Sequence, residues 1–135
     1  MSSIFTQVRQ KEVPGHVLYQ DAQVFSILTI GPHAPGHLLV IPVEEYADVL
    51  AIPDETYIHL FRIAKGMMIA TKSLYNPPRV ALMIAGLEVE HAHIHVFSLF
   101  QNEALDHNAI LSVSPAALLE EATKIKAYID GHPLV

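Results

Sequence analysis

Three histidines alternate with apolar residues in the segment from His91 to Phe97. Side chains alternate between the two faces of a β-strand, so an extended chain would place His91, His93 and His95 on one face and the apolar residues on the other. A neutral imidazole nitrogen can attack phosphorus, while a protonated neighbour can donate to a phosphoryl oxygen or to a leaving group. Because imidazoles titrate near neutral pH, neighbours in one row can hold different protonation states. The row predicts covalent catalysis at a phosphate ester or anhydride.

A metal site is the first alternative for these histidines. His91 and His95 are separated by four strand rises, about 13 Å, whereas zinc needs each nitrogen at about 2 Å. A straight strand therefore cannot bring all three to one ion. A pair of histidines at positions i and i+2 with a third ligand from His37, Glu88 or Glu90 leaves a histidine-ligated metal protein open.

Charge limits the partners of this chain. It carries 8 Lys and Arg residues against 14 Asp and Glu residues, a net charge of −6 with histidine neutral. Residues 12–61 and 80–123 contain no Lys or Arg. Long nucleic acids bind through many such cations, so a nucleic acid polymer is not expected as a partner. In these windows a small phosphate ligand has to be held by imidazolium and by backbone N–H groups, for which the segment Gly86 to Val89 is the candidate.

Length and composition narrow the class of protein further. The 135 residues fit one domain, residues 1–135, and contain no cysteine. This excludes disulfides, iron–sulfur clusters, cysteine-ligated zinc and thiol nucleophiles. Apolar runs such as Val80 to Leu87 are too short for a membrane helix, and the start of the chain has no apolar signal core. We expect a cytoplasmic protein with no membrane contact and no cofactor.

Short apolar runs between turn residues predict the strands that position the histidines. Three early runs suggest an antiparallel meander. Val80 to Ile84 predicts a buried strand, Gly86 permits a tight turn, and the segment His91 to Ser98 predicts the last strand. The three early strands are predicted at Val17–Tyr19, Val24–Thr29 and His37–Pro42.

Helical spacing appears between and after these strands. Residues 4–10 predict a short helical turn, and apolar residues at helical spacing from Asp54 to Tyr75 predict a long helix that Asn76-Pro77-Pro78 must stop. Ser114 and Pro115 are typical of the start of a closing helix. Its apolar face consists of Leu118, Ala122, Ile125 and Ile129. The order strands, helix, strands, helix predicts an α+β fold.

Several motifs together resemble one known family. The segment His91 to Phe97 matches the pattern H-φ-H-φ-H-φ-φ, with φ apolar, and so resembles the signature of the histidine triad (HIT) family. Pro35 to Pro42, read PGHLLVIP, resembles a second landmark of that family and brings His37 to the site. The opening of the chain is similar to that of the Hint-like branch of purine-nucleotide-binding proteins. The residues that carry this similarity are Ile4-Phe5, Glu12-Val13-Pro14 and Tyr19-Gln20-Asp21. With Ala85-Gly86 before the triad, the resemblance covers most of the chain.

The resemblance implies an α+β, HIT-like fold with an antiparallel five-stranded sheet, one long helix and a C-terminal helix. It also implies a homodimer in which two such sheets join into a ten-stranded one, with one nucleotide site per protomer. His93 would attack the α-phosphorus to give a nucleotidyl-histidine intermediate that water hydrolyses. His95 would hydrogen-bond the phosphate and assist the leaving group, while His91 and His37 would order the cluster.

The resemblance further implies an apolar slot for the base. Its residues would be Ile4, Phe5, Val8, Ile27 and Ile30, although ordinary core packing explains Val8 and Ile27 equally well.

The chain departs from the family pattern at positions that meet the ligand. Thr29 stands where relatives carry an Asp or Asn that holds the ribose hydroxyls. A threonine cannot hydrogen-bond to two hydroxyls as a carboxylate does. Leu87, Glu88 and Val80 replace polar residues of the family pattern, the first two beside the phosphates. Since a carboxylate repels phosphate, we expect the backbone N–H of Glu88, next to that of Val89, to face the ligand.

A second departure concerns zinc. Ser3 and Thr6 occupy the places where zinc-binding relatives carry a C-x-x-C pair, and Glu45 falls near the place of a histidine. No structural zinc is expected.

The sequence therefore predicts a dimeric nucleotide hydrolase or nucleotidyl transferase that acts on a small purine nucleotide substrate. The candidate substrates are nucleoside phosphoramidates, dinucleoside polyphosphates and adenylylated adducts. The alternatives are a non-catalytic module that binds a nucleotide or a partner, and the histidine-ligated metal protein.

Overall fold

The computed structural model describes residues 2–134. Met1 and Val135, which the predicted domain 1–135 includes, lie outside the described residues. The helices are α1 (Ile4–Arg9), α2 (Asp54–Tyr75) and α3 (Pro115–Gly131), with short 3₁₀ turns at Val49–Ala51 and Asn102–Leu105. The strands are β1 (Val17–Gln20), β2 (Val24–Leu28), β3 (Leu38–Pro42), β4 (Arg79–Met83) and β5 (Ile94–Leu99). None of the helices within residues 2–134 combines the length and apolar character needed to cross a membrane.

The five strands form one antiparallel sheet in the order β1-β2-β3-β5-β4. The first three strands are the predicted meander, and the last strand in sequence inserts between β3 and β4. In this arrangement Leu39 of β3 pairs with His95 of β5. The predicted α+β fold with a five-stranded antiparallel sheet is confirmed.

Helix α2 covers one face of the sheet. Its bounds agree with the predicted helix, and it ends where Asn76 adopts the left-handed conformation at φ 48° before two prolines. The buried side of α2 packs with strand residues in the main core. From α2 these are Leu60, Ile63, Ala64 and Met67, and from β3 and β5 they are Leu38, Val40, Ile94 and Val96.

Helix α3 closes the same side of the molecule. Ser114 is its N-cap, since the side-chain oxygen accepts from the backbone N–H of Ala117, and Pro115 occupies the first turn. Ala122 and Ile125 are buried in the main core, with Leu118 and Ile129 packed against it. The predicted apolar face of this helix therefore points to the core.

Two predicted strands differ from the observed ones. Val80 to Ile84 was expected to be buried, but β4 is an edge strand whose partner within residues 2–134 is β5, and Arg79 and Leu82 are exposed. The last strand was expected from His91, but β5 begins at Ile94. The backbone N–H of Ala92 donates to the carbonyl of Tyr46 rather than to a neighbouring strand. Residues 91–93 nevertheless keep the alternation, because Ala92 lies in the main core and His93 lies against Phe5 on the other side.

A prediction about stability follows from Gly36, which precedes His37. Gly36 has φ +75°, and a Cβ there would lie 2.5 Å from Cε2 of Tyr75. A left-handed non-glycine residue costs about 1–2 kcal/mol, and overlap with the ring adds to this. We expect Gly36→Ala to lower the free energy of unfolding in urea by about 2 kcal/mol or more.

The double variant Gly36→Ala/Tyr75→Ala should lose less than the sum of the two single variants, because the ring no longer overlaps the new methyl group. Gly131→Ala is the control, since no atom lies within 4 Å of a Cβ at that position. Full stability of Gly36→Ala would contradict this interpretation of the turn.

Candidate active site

A cavity of about 540 Å³ contains His93 and His95. It is bordered by α1, the loop after β2, the loop between β4 and β5, and residues that follow β5. The lining residues are Phe5, Thr29, Ile30, Gly31, His33, Leu39, Met83, Ala85, Gly86, Leu87, Glu88, Val89, His93, His95, His107 and Ile110. A larger groove of about 790 Å³ beside α1 contains Arg9, Lys11 and Lys126 but none of the four predicted catalytic histidines.

His91 is fully buried and held from both ring nitrogens. Its Nε2 lies 2.7 Å from the carbonyl oxygen of Pro42. A carbonyl can only accept, so Nε2 carries the proton and donates. The other nitrogen, Nδ1, is therefore the acceptor for the hydroxyl of Ser3 at 2.6 Å. These two bonds tie the ring to the end of β3 and to the start of α1.

His93 has one nitrogen held by the backbone. Its Nδ1 lies 2.8 Å from the carbonyl oxygen of His91 and must donate to it. In the neutral ring, the lone pair is then on Nε2. The ring centroid lies 4.8 Å from that of Phe5 and 4.9 Å from that of His95, and the side chain lines the cavity. His93 can therefore present a nucleophilic nitrogen.

His37 and His95 form a directed pair. The backbone N–H of His33 donates to Nδ1 of His37 at 2.9 Å, so a neutral His37 carries its proton on Nε2. This Nε2 lies 3.0 Å from Nδ1 of His95 and donates to it. A neutral His95 therefore carries its own proton on Nε2. The site thus offers a lone pair on His93 next to an N–H donor on His95.

Burial keeps these imidazoles neutral. It lowers the pKa of His37 to about 3, with further contributions from His95 and His33. Burial together with His93, His33 and His107 lowers the pKa of His95 to about 4, against the opposing charge of Glu88. Burial also lowers the pKa of His91 and of His93, although the carbonyl partner of each ring favours its protonated form. At neutral pH, the free site holds uncharged rings.

A polar network behind His91 was not predicted. Glu45 accepts from the backbone N–H of Ser3 and from the hydroxyl of Thr6, each at 2.9 Å. Ser3 also caps α1, since its hydroxyl accepts from the N–H of Thr6. These bonds connect α1 to Glu45 and to His91. The sequence showed these three residues only as departures from a zinc-binding pattern.

The predicted nucleotide-binding residues divide into two groups. Five line the cavity and three do not. The lining residues are Phe5, Thr29, Ile30, Glu88 and Val89. Val8 and Ile27 lie with Phe5 in a buried apolar cluster, and Ile4 is about half exposed at the start of α1. The hydroxyl of Thr29 accepts from the N–H of Gly31 at 3.2 Å and so stabilises the turn that borders the cavity.

His33, His107 and Ile110 are among the lining residues that were not predicted. His33 lies in the loop before His37, where its Nδ1 lies 2.7 Å from the carbonyl of Ala104. His107 and Ile110 follow β5. The spacing of four residues between His33 and His37 was the available signal for the first. Nothing in the local pattern indicated the other two.

The polar groups near His91 do not fit a metal. Ser3 and Thr6 offer hydroxyls where zinc prefers thiolate, imidazole or carboxylate ligands, and Glu45 already accepts from both residues. Within residues 2–134, no group of three or more His, Asp or Glu side chains is arranged to hold a metal ion.

Comparisons with known proteins find a matching family model, similar sequences and similar folds. A family model described as HIT domain matches residues 10–102. An uncharacterized HIT-like protein of Methanocaldococcus jannaschii is 30% identical over 104 residues, which cover 74% of this chain and 81% of that protein. The adenosine 5'-monophosphoramidase HNT1 of Saccharomyces cerevisiae is 35% identical over 94 residues, 69% of this chain and 60% of that protein. The crystal structure of a Hit-like protein from Bartonella henselae, 27% identical, superposes with a TM-score of 0.80 over 93% of this chain and 95% of that one.

The first prediction from the site concerns Ser3. Ser3→Ala removes the cap of α1 and leaves Nδ1 of the buried His91 without its donor, so the free energy of unfolding should fall by about 1–3 kcal/mol. Ser3→Thr keeps a hydroxyl and should retain most of the stability. Ser2→Ala, at an exposed neighbour, should change stability by no more than about 0.5 kcal/mol. Urea unfolding measures all three, and equal stability of Ser3→Ala and wild type would contradict the network.

The second prediction concerns pH. Because the folded state lowers the pKa of several histidines, the unfolded chain binds more protons below pH about 6.5, and stability must fall as the pH falls. Each such histidine contributes a slope of up to about 1.4 kcal/mol per pH unit until its folded pKa is reached. The contribution of His37 to this slope continues down to its folded pKa of about 3, and that of His95 continues down to its folded pKa of about 4.

Urea unfolding at pH 7, 6 and 5 tests this. His37→Asn, whose amide oxygen can still accept from His33, should show a shallower slope than wild type. Ser112→Ala, which replaces an exposed side chain that does not titrate, should keep the wild-type slope. Stability that rises on acidification would contradict the neutral state of the cluster.

Proposed function

The chain belongs to the HIT domain family, and from that premise we propose that it is a hydrolase or nucleotidyl transferase for a small purine nucleotide, with His93 as nucleophile. The observation that carries the proposal is a set of hydrogen bonds in which the backbone partners fix the donor and the acceptor. These bonds leave a lone pair on Nε2 of His93 beside the Nε2–H of His95. A histidine that only binds a nucleotide, and does not react with it, needs no such lone pair.

In the first step, Nε2 of His93 bonds to the α-phosphorus as the bond from phosphorus to the leaving group breaks. The leaving group departs with the electron pair of that bond and takes its proton from solvent water. The Nε2–H of His95 donates a hydrogen bond that stabilises the departing group, while its Nδ1 stays the acceptor for His37. The product is a nucleotidyl-histidine.

In the second step, a water oxygen bonds to phosphorus and the bond to His93 breaks. Its electron pair returns to Nε2 of His93, and the proton of the attacking water passes to solvent. If another acceptor replaces water, the same steps transfer the nucleotidyl group. His37 holds the ring of His95, and His91 holds that of His93 through its carbonyl, so both act as positioning residues.

The wall formed by α1 supports an apolar slot for the base. Phe5 lines the cavity, and Val8 and Ile27 pack behind it in the same cluster. The yeast relative named as an adenosine 5'-monophosphoramidase supports adenosine phosphoramidates as the first substrates to test. Dinucleoside polyphosphates and adenylylated adducts are the other candidates.

A dimer stays a prediction and forms part of the proposal. Edge strand β4 has one partner strand within residues 2–134, and its Leu82 is partly exposed. Val80 and Ile84, which alternate with the neighbouring positions, pack with α2, so Leu82 lies on the α2 side of the sheet. Addition of a second β4 at this edge would continue the sheet to ten strands. The cytoplasmic location also stays a prediction.

The decisive prediction is a His93-dependent adduct. Wild-type protein incubated briefly with labelled adenosine 5'-phosphoramidate and quenched in mild alkali, which preserves phosphoramidate bonds, should carry one AMP by mass spectrometry. His93→Ala should carry none and should lose turnover by roughly 10³-fold or more, because the covalent route is closed. His132→Ala, at an exposed histidine, should behave as wild type.

Other outcomes assign the function differently. An adduct that persists in His93→Ala would refute the assigned nucleophile. Tight AMP binding with neither adduct nor turnover would favour the non-catalytic binding module. Stoichiometric metal in the purified protein, with activity lost on chelation, would favour the metal protein.

A further inference from the structure

Residues 100–113, which follow β5 and supply His107 and Ile110 to the cavity wall, form what we call the crossing segment. It is attached at two points to the loop after β2. The carbonyl of Ala104 lies 2.7 Å from Nδ1 of His33, and the N–H of Leu111 donates to the carbonyl of Pro32 at 2.8 Å. The family match ends at residue 102, so most of the segment lies beyond it. A wall of the cavity is therefore built by residues outside the matched region.

The crossing segment meets the loop between β4 and β5 at a contact between His107 and Glu88. Nε2 of His107 lies 2.6 Å from Oε1 of Glu88, and the two side chains are 71% and 72% exposed. Both residues line the cavity together with His93 and His95. The field of Glu88 acts on the pKa of His93 and of His95, so the carboxylate lies within electrostatic reach of the reacting groups.

This pair lies on the wall that a leaving group would meet. A nucleotide whose base contacts the α1 wall at Phe5 and whose α-phosphorus is at His93 has its leaving group on the remaining side. That side is formed by the loop around Glu88 and by His107 and Ile110 of the crossing segment. The chemistry of these residues therefore bears on which leaving group the cavity accepts.

Glu88 places a carboxylate on this wall. The lining residues found within residues 2–134 include no Lys or Arg, and Glu88 is the carboxylate among them. A polyphosphate leaving group carries several negative charges that no Lys or Arg of the described lining would offset. An amine leaving group departs neutral or positive, and the carboxylate attracts it.

We propose that Glu88, held over the cavity by His107, determines leaving-group specificity and selects substrates that release an amine over substrates that release a polyphosphate. Glu88 is the specificity-determining residue, and His107 is its positioning residue. The inference rests on the proposed nucleotidyl transfer at His93, and it assigns a role to a segment that the catalytic steps do not use.

The test compares kcat/KM for adenosine 5'-phosphoramidate with kcat/KM for diadenosine tetraphosphate. The ratio of the first to the second should exceed one in the wild type. Glu88→Gln keeps the size of the side chain and removes its charge, and it should lower the ratio about tenfold or more. Glu88→Lys should lower it further. Glu103→Gln, which removes a carboxylate from the crossing segment outside the cavity lining, should leave the ratio unchanged.

The role of His107 is tested by one variant that removes its side chain and by a second that retains an N–H donor. His107→Ala frees the exposed carboxylate to move into solvent, so the ratio should fall, though less than in Glu88→Gln. His107→Gln retains an N–H donor and should restore the wild-type ratio, which a merely structural role would not require. Circular dichroism and urea unfolding establish that each variant is folded.

The outcomes separate the two proposals. Turnover through His93 with a ratio that Glu88→Gln and Glu88→Lys leave unchanged would overturn this inference and leave the proposed function standing. Absence of both turnover and adduct in the wild type would overturn both. A lower ratio in His107→Ala that His107→Gln fails to restore would overturn the positioning role of His107.

Discussion

Each buried imidazole of the site hydrogen-bonds to a backbone group that can either only donate or only accept. The carbonyls of Pro42 and His91 can only accept, and the N–H of His33 can only donate. The main chain therefore decides which nitrogen of each ring carries the proton. Because burial lowers the pKa of every member, the rings stay neutral and this assignment holds at neutral pH. The lone pair on His93 and the N–H on His95 are both consequences of backbone position.

The rest of the fold keeps those backbone groups in place. The register Leu39↔His95 between β3 and β5 sets which carbonyls lie near the histidines, and a slip of one residue would turn the imidazoles into the apolar core beneath α2. Such a slip would bury charged or unpaired rings among leucines and would expose Ile94, so the hydrophobic effect fixes the register. The bonds from Ser3 and Thr6 to Glu45 then seat α1 against His91. The apolar core thus positions the polar site.

The sequence predicts those parts of the molecule whose pattern repeats. Helix α2 repeats its apolar face over several turns, and the alternation of His91, His93 and His95 shows which side chains share a face. The burial of Val80 to Ile84 was predicted wrongly because an apolar run does not distinguish a central strand from an edge strand. His33, His107 and Ile110 escape prediction because they lie in loops without periodicity, where long-range contacts such as His33 with Ala104 decide their position. Residues of that kind require the tertiary structure.

Neutral rings also constrain how phosphate can bind. Three of the basic residues, Arg9, Lys11 and Lys126, lie in the groove beside α1, and the cavity lining found within residues 2–134 has none. Phosphate must then be held by the N–H of His95 and by backbone N–H groups, which are weak partners for a group with more than one negative charge. Because the Nε2–H of His37 donates to Nδ1 of His95, an added proton on that nitrogen would face another N–H, so His95 meets phosphate as a neutral donor. The site therefore stabilises the departing group by an oriented hydrogen bond, and it needs no permanent cation.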